Sequence, residues 1–247
     1  MALAKQINPL PNVSCQRCAI KPLCLPVSLA ESEIEYLDGI IHRNRPLRKD
    51  NHLFRAGDPL TSLYAIRSGS IKSYTISMDG EEQVTGFHLA GEVIGLDAVH
   101  NGNHPSFAIA LETTTVCEIP FEQLEELSSF IPGLRKQLLR VMSREIYDDQ
   151  SLMLLLNKRN AESRIAAFLV SLSSRCSRRG FSPTEFKLPM TRADAGNYLG
   201  LTIETVSRIL SRFNKQGMIQ IQGKYLKILD LESLQMLAGG SCDFCAI

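Results

Sequence analysis

The spacing of apolar and polar positions changes character twice along this chain. From Leu47 to Ile119, apolar runs such as "SLYAIRSG", "SIKSYTIS" and "QVTGFHLA" are punctuated by Gly, Asp and Pro at intervals of roughly ten residues, predicting a sandwich or barrel. The stretch "SMDGEE" predicts a hairpin turn in which Asp79 and Gly80 take positive backbone angles. From Phe121 the period becomes helical, and residues 131–159 predict one long helix entered through Pro132.

That helix carries a second pattern. Leu139, Met142, Ile146, Asp149, Met153 and Leu156 are spaced alternately by three and four residues, the a/d seam of a two-helix coiled coil. Such a stripe either joins two copies of the chain or packs on the protein's own β domain. The wide apolar surface of "LMLLL" has room for both contacts. In the seam reading, Asp149 sets two carboxylates against each other across an otherwise apolar interface.

Further on, "TRADAGNYLGLTIETVSRILSRFNKQGMI" predicts a helix over 191–199, a turn at Gly200 and Leu201, and a second helix over 202–216. Val206, Ile209, Leu210 and Phe213 follow the rule for one buried helix face. Glu204, Ser207, Arg208, Ser211 and Arg212 are left outside, with Thr202 at the helix start. Their chemistry suits a DNA major groove. Arginine binds guanine O6 and N7 through two bonds, glutamate accepts from cytosine N4, and a helix N-terminus approaches phosphate. "IQIQGKYLKIL" then predicts a two-stranded wing.

Charge sharpens this division. The formal net charge is +1, yet residues 157–227 hold 13 Lys or Arg against 4 Asp or Glu, leaving 14 against 22 elsewhere. A basic C-terminal third on an acidic remainder fits a nucleic-acid-binding module joined to a control domain. No apolar run reaches the roughly 20 residues that span a bilayer, and no signal-peptide order opens the chain. A cytoplasmic protein is expected, and in a reducing compartment seven cysteines point to metal binding or redox chemistry rather than disulfides. Three of them, Cys15, Cys18 and Cys24, crowd into "CQRCAIKPLC". Spacing alone leaves open a structural zinc site, an iron–sulfur site and a thiol-redox pair, although no thioredoxin-like pattern surrounds the last. Cys176 reads as a stray thiol, and Cys242 and Cys245 as spare thiols of a C-terminal tail.

The order of β domain, long helix and winged helix-turn-helix resembles the cyclic AMP receptor protein superfamily. The thiol segment, "VTGFHLAGE" and "NYLGLTIETVSR" resemble its FNR and Anr type, over nearly the whole chain from Cys15 to about Gly239. The resemblance implies an α+β fold: a cluster-binding segment over 1–30, a β-roll sensor domain over 31–130, a dimerisation helix over 131–159, and a winged helix-turn-helix with a tail over 160–247. It implies a [4Fe-4S] cluster held by Cys15, Cys18, Cys24 and the distant Cys117 of "TTTVCEIPF", converting to [2Fe-2S] in oxygen. It further implies an oxygen-sensing global transcription regulator, not an enzyme, that forms a homodimer on TTGAT-like half-sites. RNA polymerase is an implied partner, with Asp79, Gly80, Glu81 and Glu82 at the hairpin tip as the candidate contact. The segment "AGEVIGL" resembles the start of a cyclic nucleotide cassette, but His104 and Pro105 stand where an Arg-Ser pair is required. Cyclic nucleotide binding is therefore not expected, and Gly91 and Gly95 read as turn residues. His42, His52, His88 and His100 lack ligand-like spacing.

Overall fold

The protein is described here by a computed structural model covering residues 13–239; Cys242 and Cys245 lie outside the described residues. Three successive 3-10 turns, Cys15–Arg17, Lys21–Leu23 and Leu25–Ser28, lead into helix α1, Glu31–Ile40. Strands β1 (His42–Arg43), β2 (His52–Phe54), β3 (Ser62–Ser68), β4 (Ser70–Ile76), β5 (Glu82–Leu89), β6 (Val93–Ile94), β7 (Phe107–Ala110) and β8 (Thr115–Pro120) follow. They form two four-stranded antiparallel sheets, ordered β1-β8-β3-β6 and β2-β7-β4-β5. Between the sheets Phe54, Ile71 and Ala108 of one pack with Ile66, Ile94 and Val116 of the other.

The first sheet is buried on its second face too. Strand residues alternate sides. Val116 and Ile66 therefore point between the sheets, whereas Cys117, Ile119, Leu63 and Ala65 join a different cluster with Leu25, Leu29, Ile34 and Leu37. Burial on both faces is why these strands read as nearly continuous apolar runs rather than clean alternation.

The β4–β5 hairpin departs from the two-residue turn that "SMDGEE" predicts. Ser77 accepts from Gly80 N–H at 3.0 Å and donates its own N–H to Glu81 O at 2.9 Å. Of the pair, only Gly80 has positive φ, at 81°, and Asp79 stays in the ordinary range. A longer loop built on an ordinary turn needs one left-handed residue, not two.

Helix α2 (Phe121–Phe130) precedes α3 (Pro132–Lys158), whose first turn holds the proline where its missing N–H costs nothing. On α3, Leu134, Leu138 and Val141 face the cluster that contains Cys15 and Cys117, while Leu152 and Leu155 face the C-terminal core. Helix α4 (Ala161–Arg178) is the spine of that second core, with Ile165, Ala166, Phe168 and Leu169 buried. Strand β9 (Glu185–Lys187), helices α5 (Arg192–Leu199) and α6 (Ile203–Lys215), strands β10 (Ile219–Gln222) and β11 (Tyr225–Ile228) and helix α7 (Leu231–Ala238) complete it. The wing has three strands, ordered β10-β11-β9, rather than the two predicted, because short "EFK" pairs with β11 from far upstream. Arg164 of α4 ties the junction by donating to Leu156 O at the end of α3 and to Leu199 O, 3.0 Å away, at the end of α5.

The two domains lock together through charge. Arg175 of α4 and Arg179, which caps its C-terminus, grip Glu92, which follows β5, at 2.7 and 2.5 Å. Burial would raise the Glu92 pKa, but the two guanidinium groups outweigh it and hold the carboxyl down at about 2. Lys72 of β4 joins Glu82 at 2.6 Å and Asp194 of α5 at 2.9 Å, and the Asn197 side chain bonds Glu82 O and Val84 N.

Candidate thiol site and nucleic-acid interface

Cys15 and Cys117 are buried, and Cys18 and Cys24 are partly so. All four line one small cavity, walled otherwise mainly by Ile20, Leu25, Pro26, Leu37, Ala65 and Ile119. Local turns shape the loop. Cys18 N–H donates to Cys15 O at 3.4 Å, Lys21 N–H to Cys18 O at 3.0 Å, and Cys24 N–H to Lys21 O at 3.3 Å. Each 3-10 step turns the chain so that successive thiols come round to the cavity. Cys117 arrives from β8, whose alternation turns it away from the sheet interior and toward the loop.

Electrostatics couple the four. Burial is the first cause that raises the Cys24 thiol to about 12, with the charges of Cys117 and Cys18 adding to it. Cys15 and Cys117 are also pushed up, again chiefly by burial; Asp38 accepts from Cys15 and reinforces its shift, whereas Arg43 opposes both. The protons of buried thiols leave only when a cation replaces them. Among the described residues, no three His, Cys, Asp or Glu side chains converge as ligands of a single ion.

The loop also grips the body of the protein. Gly91 has φ +92°, and a Cβ there would lie 2.8 Å from Leu23 Cβ, so only glycine leaves room for the loop's Leu23. Ser28 accepts from Arg140 of α3 at 3.2 Å, and Leu29 packs where a side chain on Gly133 would stand. The thiol loop thus abuts the first half of α3.

On the same helix Leu139 and Met153 are each 62% exposed and Ile146 is 58% exposed; Met142 and Asp149 are also exposed, and Leu156 is half-buried. The stripe is an exposed strip of α3 beside its buried face. Although exposed, Asp149 is partly desolvated by its neighbours, which raises its carboxyl from the ordinary value, and on the flanking position Glu145 rises to about 7, first through burial and then through Asp149.

The helix-turn-helix follows its local signals. Thr191 and Asp194 form a capping box, with Thr191 Oγ1 accepting from Asp194 N–H at 3.0 Å and Asp194 accepting from Thr191 N–H at 3.0 Å. Leu201 N–H reaches Gly196 O at 2.8 Å, and a Cβ on Gly196 would sit 2.6 Å from Leu201 O, so the tight turn needs glycine there. Thr202 caps α6, accepting from Thr205 N–H at 3.2 Å. Val206, Ile209, Leu210 and Phe213 are buried, and Glu204, Arg208 and Ser211 are exposed. Ser207 is half-buried and accepts from Arg192 at 3.3 Å, while Arg212 is paired with Glu162 of α4. At the hairpin tip Asp79, Gly80 and Glu81 are exposed, whereas the Glu82 carboxylate turns back to Lys72. His104 is 2% exposed and stacks on Phe54 with ring centroids 3.8 Å apart. His88 is half-buried against Ser73, 2.8 Å away, and desolvation lowers it to about 4.

Sequence patterns did not single out Asp38, Arg43 or the Glu92 clamp: Asp38 and Arg43 pair across only five residues but form no motif, and Cys15 and the arginines that hold Glu92 lie much farther away along the chain. The capping box and the close approach at Gly196 were also not anticipated, although T-x-x-D over 191–194 carries the signal for the first.

Comparison with known proteins agrees with this architecture. The family described as Crp-like helix-turn-helix domain matches residues 163–237, and that described as cyclic nucleotide-binding domain matches residues 44–129. The chain is 58% identical over 227 residues to the fumarate and nitrate reduction regulatory proteins of Salmonella typhimurium and Escherichia coli, covering 92% of this chain and 91% of each relative. The solved structure of FixK2 from Bradyrhizobium japonicum shares 31% identity, covers 80% of this chain and 97% of its own, and superposes with a TM-score of 0.73. With its two domains, its helix-turn-helix and this extent of identity, the chain belongs to the family of fumarate and nitrate reduction regulatory proteins, transcription regulators of the Crp type.

Proposed function

We propose that the chain is an oxygen-responsive global transcription regulator acting as a homodimer in the cytoplasm, whose DNA affinity depends on a [4Fe-4S] cluster held by Cys15, Cys18, Cys24 and Cys117. The observation that carries this reading is the single cavity lined by those four thiols, inside the same core as the first half of α3. The residues fit the group. A cubane carries its irons at separate corners, so its thiolates line a cavity rather than meet at one point, and softness favours sulfur ligands. When bound, the cluster supplies the oxygen-sensitive element, its [4Fe-4S] form giving [2Fe-2S] in oxygen.

The protein's own residues transmit the state. With the thiols engaged, the loop keeps Leu23 seated on Gly91 and Leu25 and Leu29 against α3. That fixes the helix whose flanking exposed strip offers Leu139, Met142, Ile146, Asp149, Met153 and Leu156 to a second copy. Paired recognition helices then meet half-sites one helical turn apart, reading TTGAT-like sequence through Glu204, Ser207 and Arg208, with Arg212 and Thr202 at the edge. Release of the loop weakens the pair, and each chain alone loses the contacts of one half-site. Asp79, Gly80, Glu81 and Glu82 are the proposed contact with RNA polymerase. Cyclic nucleotide is left out because His104 and Pro105 provide no guanidinium for its phosphate.

The test is the absorption spectrum with iron, sulfide and zinc content of the anaerobically purified full chain. Near-stoichiometric iron and sulfide lost on aeration together with DNA binding supports the reading; zinc with no response to oxygen overturns it.

A further inference from the structure

Beside the four thiols lies a cation that no motif announces. Strand β1 is only two residues long, and its register sets Arg43 directly opposite Cys117 of β8. Directly opposed residues on one sheet share a face, so the Arg43 side chain starts on the side to which Cys117 turns. Its Nη2 lies 3.8 Å from Cys15 Sγ. Asp38 of α1 holds the guanidinium by an ion pair and accepts the backbone N–H of Cys15 at 2.8 Å, so one carboxylate positions both the cation and the first thiol. A further donor, Nη1, reaches Ile41 O at 3.5 Å. The remaining one, Nε, is buried with no hydrogen-bond partner among the described residues.

Asp38 already balances the guanidinium charge, but the Nε donor still lacks an acceptor. A buried donor left without an acceptor is costly, more so when it belongs to a charged group. Four deprotonated thiols around a cluster carry net negative charge in a mainly apolar pocket, which is equally costly without a counter-ion. Each deficit answers the other.

We propose that Arg43, positioned by Asp38, is the charge partner of the thiol site: it donates N–H···S hydrogen bonds to the ligand sulfurs, Cys15 first, and so sets how long the cluster survives in air. The proposal rests on the cluster reading above. Arg43 touches ligand sulfur rather than iron and is a positioning residue. Outer partners of this kind change metal-site affinity about 10–100-fold when removed, and hydrogen bonds to the sulfurs are among the factors that set a cluster's potential.

The experiment uses the full chain, reconstituted anaerobically with ferrous iron and sulfide, as parent, Arg43→Gln, Arg43→Lys and Asp38→Asn. Resonance Raman spectra of the iron–cysteine stretches and the decay of cluster absorbance in air-saturated buffer are recorded, with the melting temperature of each cluster-free protein. The expected result for Arg43→Gln is full initial iron, stretches shifted to higher frequency, and decay faster by about tenfold, the lower end of that range. Arg43→Lys should recover part of the lifetime, and Asp38→Asn should fall between it and Arg43→Gln. Unchanged stretches and lifetime in an iron-replete Arg43→Gln overturn the proposal, as does a lower cluster-free melting temperature with no spectral shift, which marks a purely structural tie between α1 and β1. If Arg43→Gln takes up no iron, uptake by Arg43→Lys supports the proposal and its failure overturns it. A parent chain that takes up no iron would instead defeat the cluster reading itself.

Discussion

The helix-turn-helix and the thiol cavity are assembled on different scales. What shapes the first lies between Thr191 and Phe213: a capping box, a glycine at the turn, a second cap and four apolar positions on one face. The thiol cavity draws Cys15, Cys18 and Cys24 from a loop of 3-10 turns, Cys117 from a strand about a hundred residues later, and its walls from α1 and β3. A module specified locally owes its shape chiefly to its own residues, even though Asp194 and Asn197 also bond the β domain. A site closed by long-range contacts forms and dissolves with the tertiary structure around it. In a switch that division is useful, because the reader of DNA stays folded while the sensor changes state.

The largest separation between the two should come from Cys117→Ser. Removing the distant ligand should abolish iron and sulfide binding, while the unfolding transition of the C-terminal domain, followed by circular dichroism, stays where it was; Cys176→Ser should retain the full metal content. Retention of iron by Cys117→Ser would break the four-thiol assignment.

The reverse experiment is Phe213→Ala. Phe213 is fully buried in the C-terminal core, and its loss should cost about 3–5 kcal/mol of stability in urea titrations, with iron uptake unaltered. A parallel loss of iron would mean that the two regions fold as one unit.

Within the DNA interface, Arg208→Ala should cost about 1–3 kcal/mol in discrimination at one guanine, measured by competition between operators at fixed salt. Arg212→Ala should cost less, because Arg212 is already engaged with Glu162. Equal weakening on all sequences would make Arg208 a phosphate contact.

Asp149→Ala probes the link between the regions. Removing apposed carboxylates from the seam should raise the association constant of the cluster-free chain by about an order of magnitude. Sedimentation in air decides, and a monomer indistinguishable from the parent removes Asp149 from the seam.

The smallest expected effect is a slope in pH. Glu92 sits at about 2 in the folded protein, below its ordinary 4.5, so its clamp with Arg175 and Arg179 contributes fully above pH 4.5 and is lost as pH falls toward 2. His88, lowered to about 4 from 6.5, adds a loss of stability as pH falls from 6.5 toward 4. Glu92→Gln should remove the Glu92 share of the acid limb below pH 4.5 and, because the Glu92 charge favours protonated His88, should deepen the loss of stability that His88 brings as pH falls from 6.5.

Much of this was legible in the residues. The apolar period marked α3 and both helices of the reading head to within a residue or two, because proline at a first turn and one-face burial act over a few positions, and it marked the β region from Leu47, five residues after β1 begins. Helix α1 and strand β9 were not anticipated. Each is short and takes its stability from partners distant in sequence, α1 from the thiol-side core and β9 from β11. At the hairpin tip Asp79 was assigned a left-handed backbone that only Gly80 adopts, since loop length, not residue type alone, selects the turn.

The sequence by itself determined the local chemistry: which positions can cap, turn, bury a face or offer a thiol, since these depend on neighbours a few residues away. Only the tertiary structure decided that Cys117 faces the N-terminal loop rather than the sheet interior, that Arg43 stands over Cys15, and that Glu82 serves Lys72 instead of lying free at the hairpin tip. Strand alternation offers two faces, and a long charged side chain offers many reaches. Which one is taken is set by what packs opposite, and that partner lies tens of residues away.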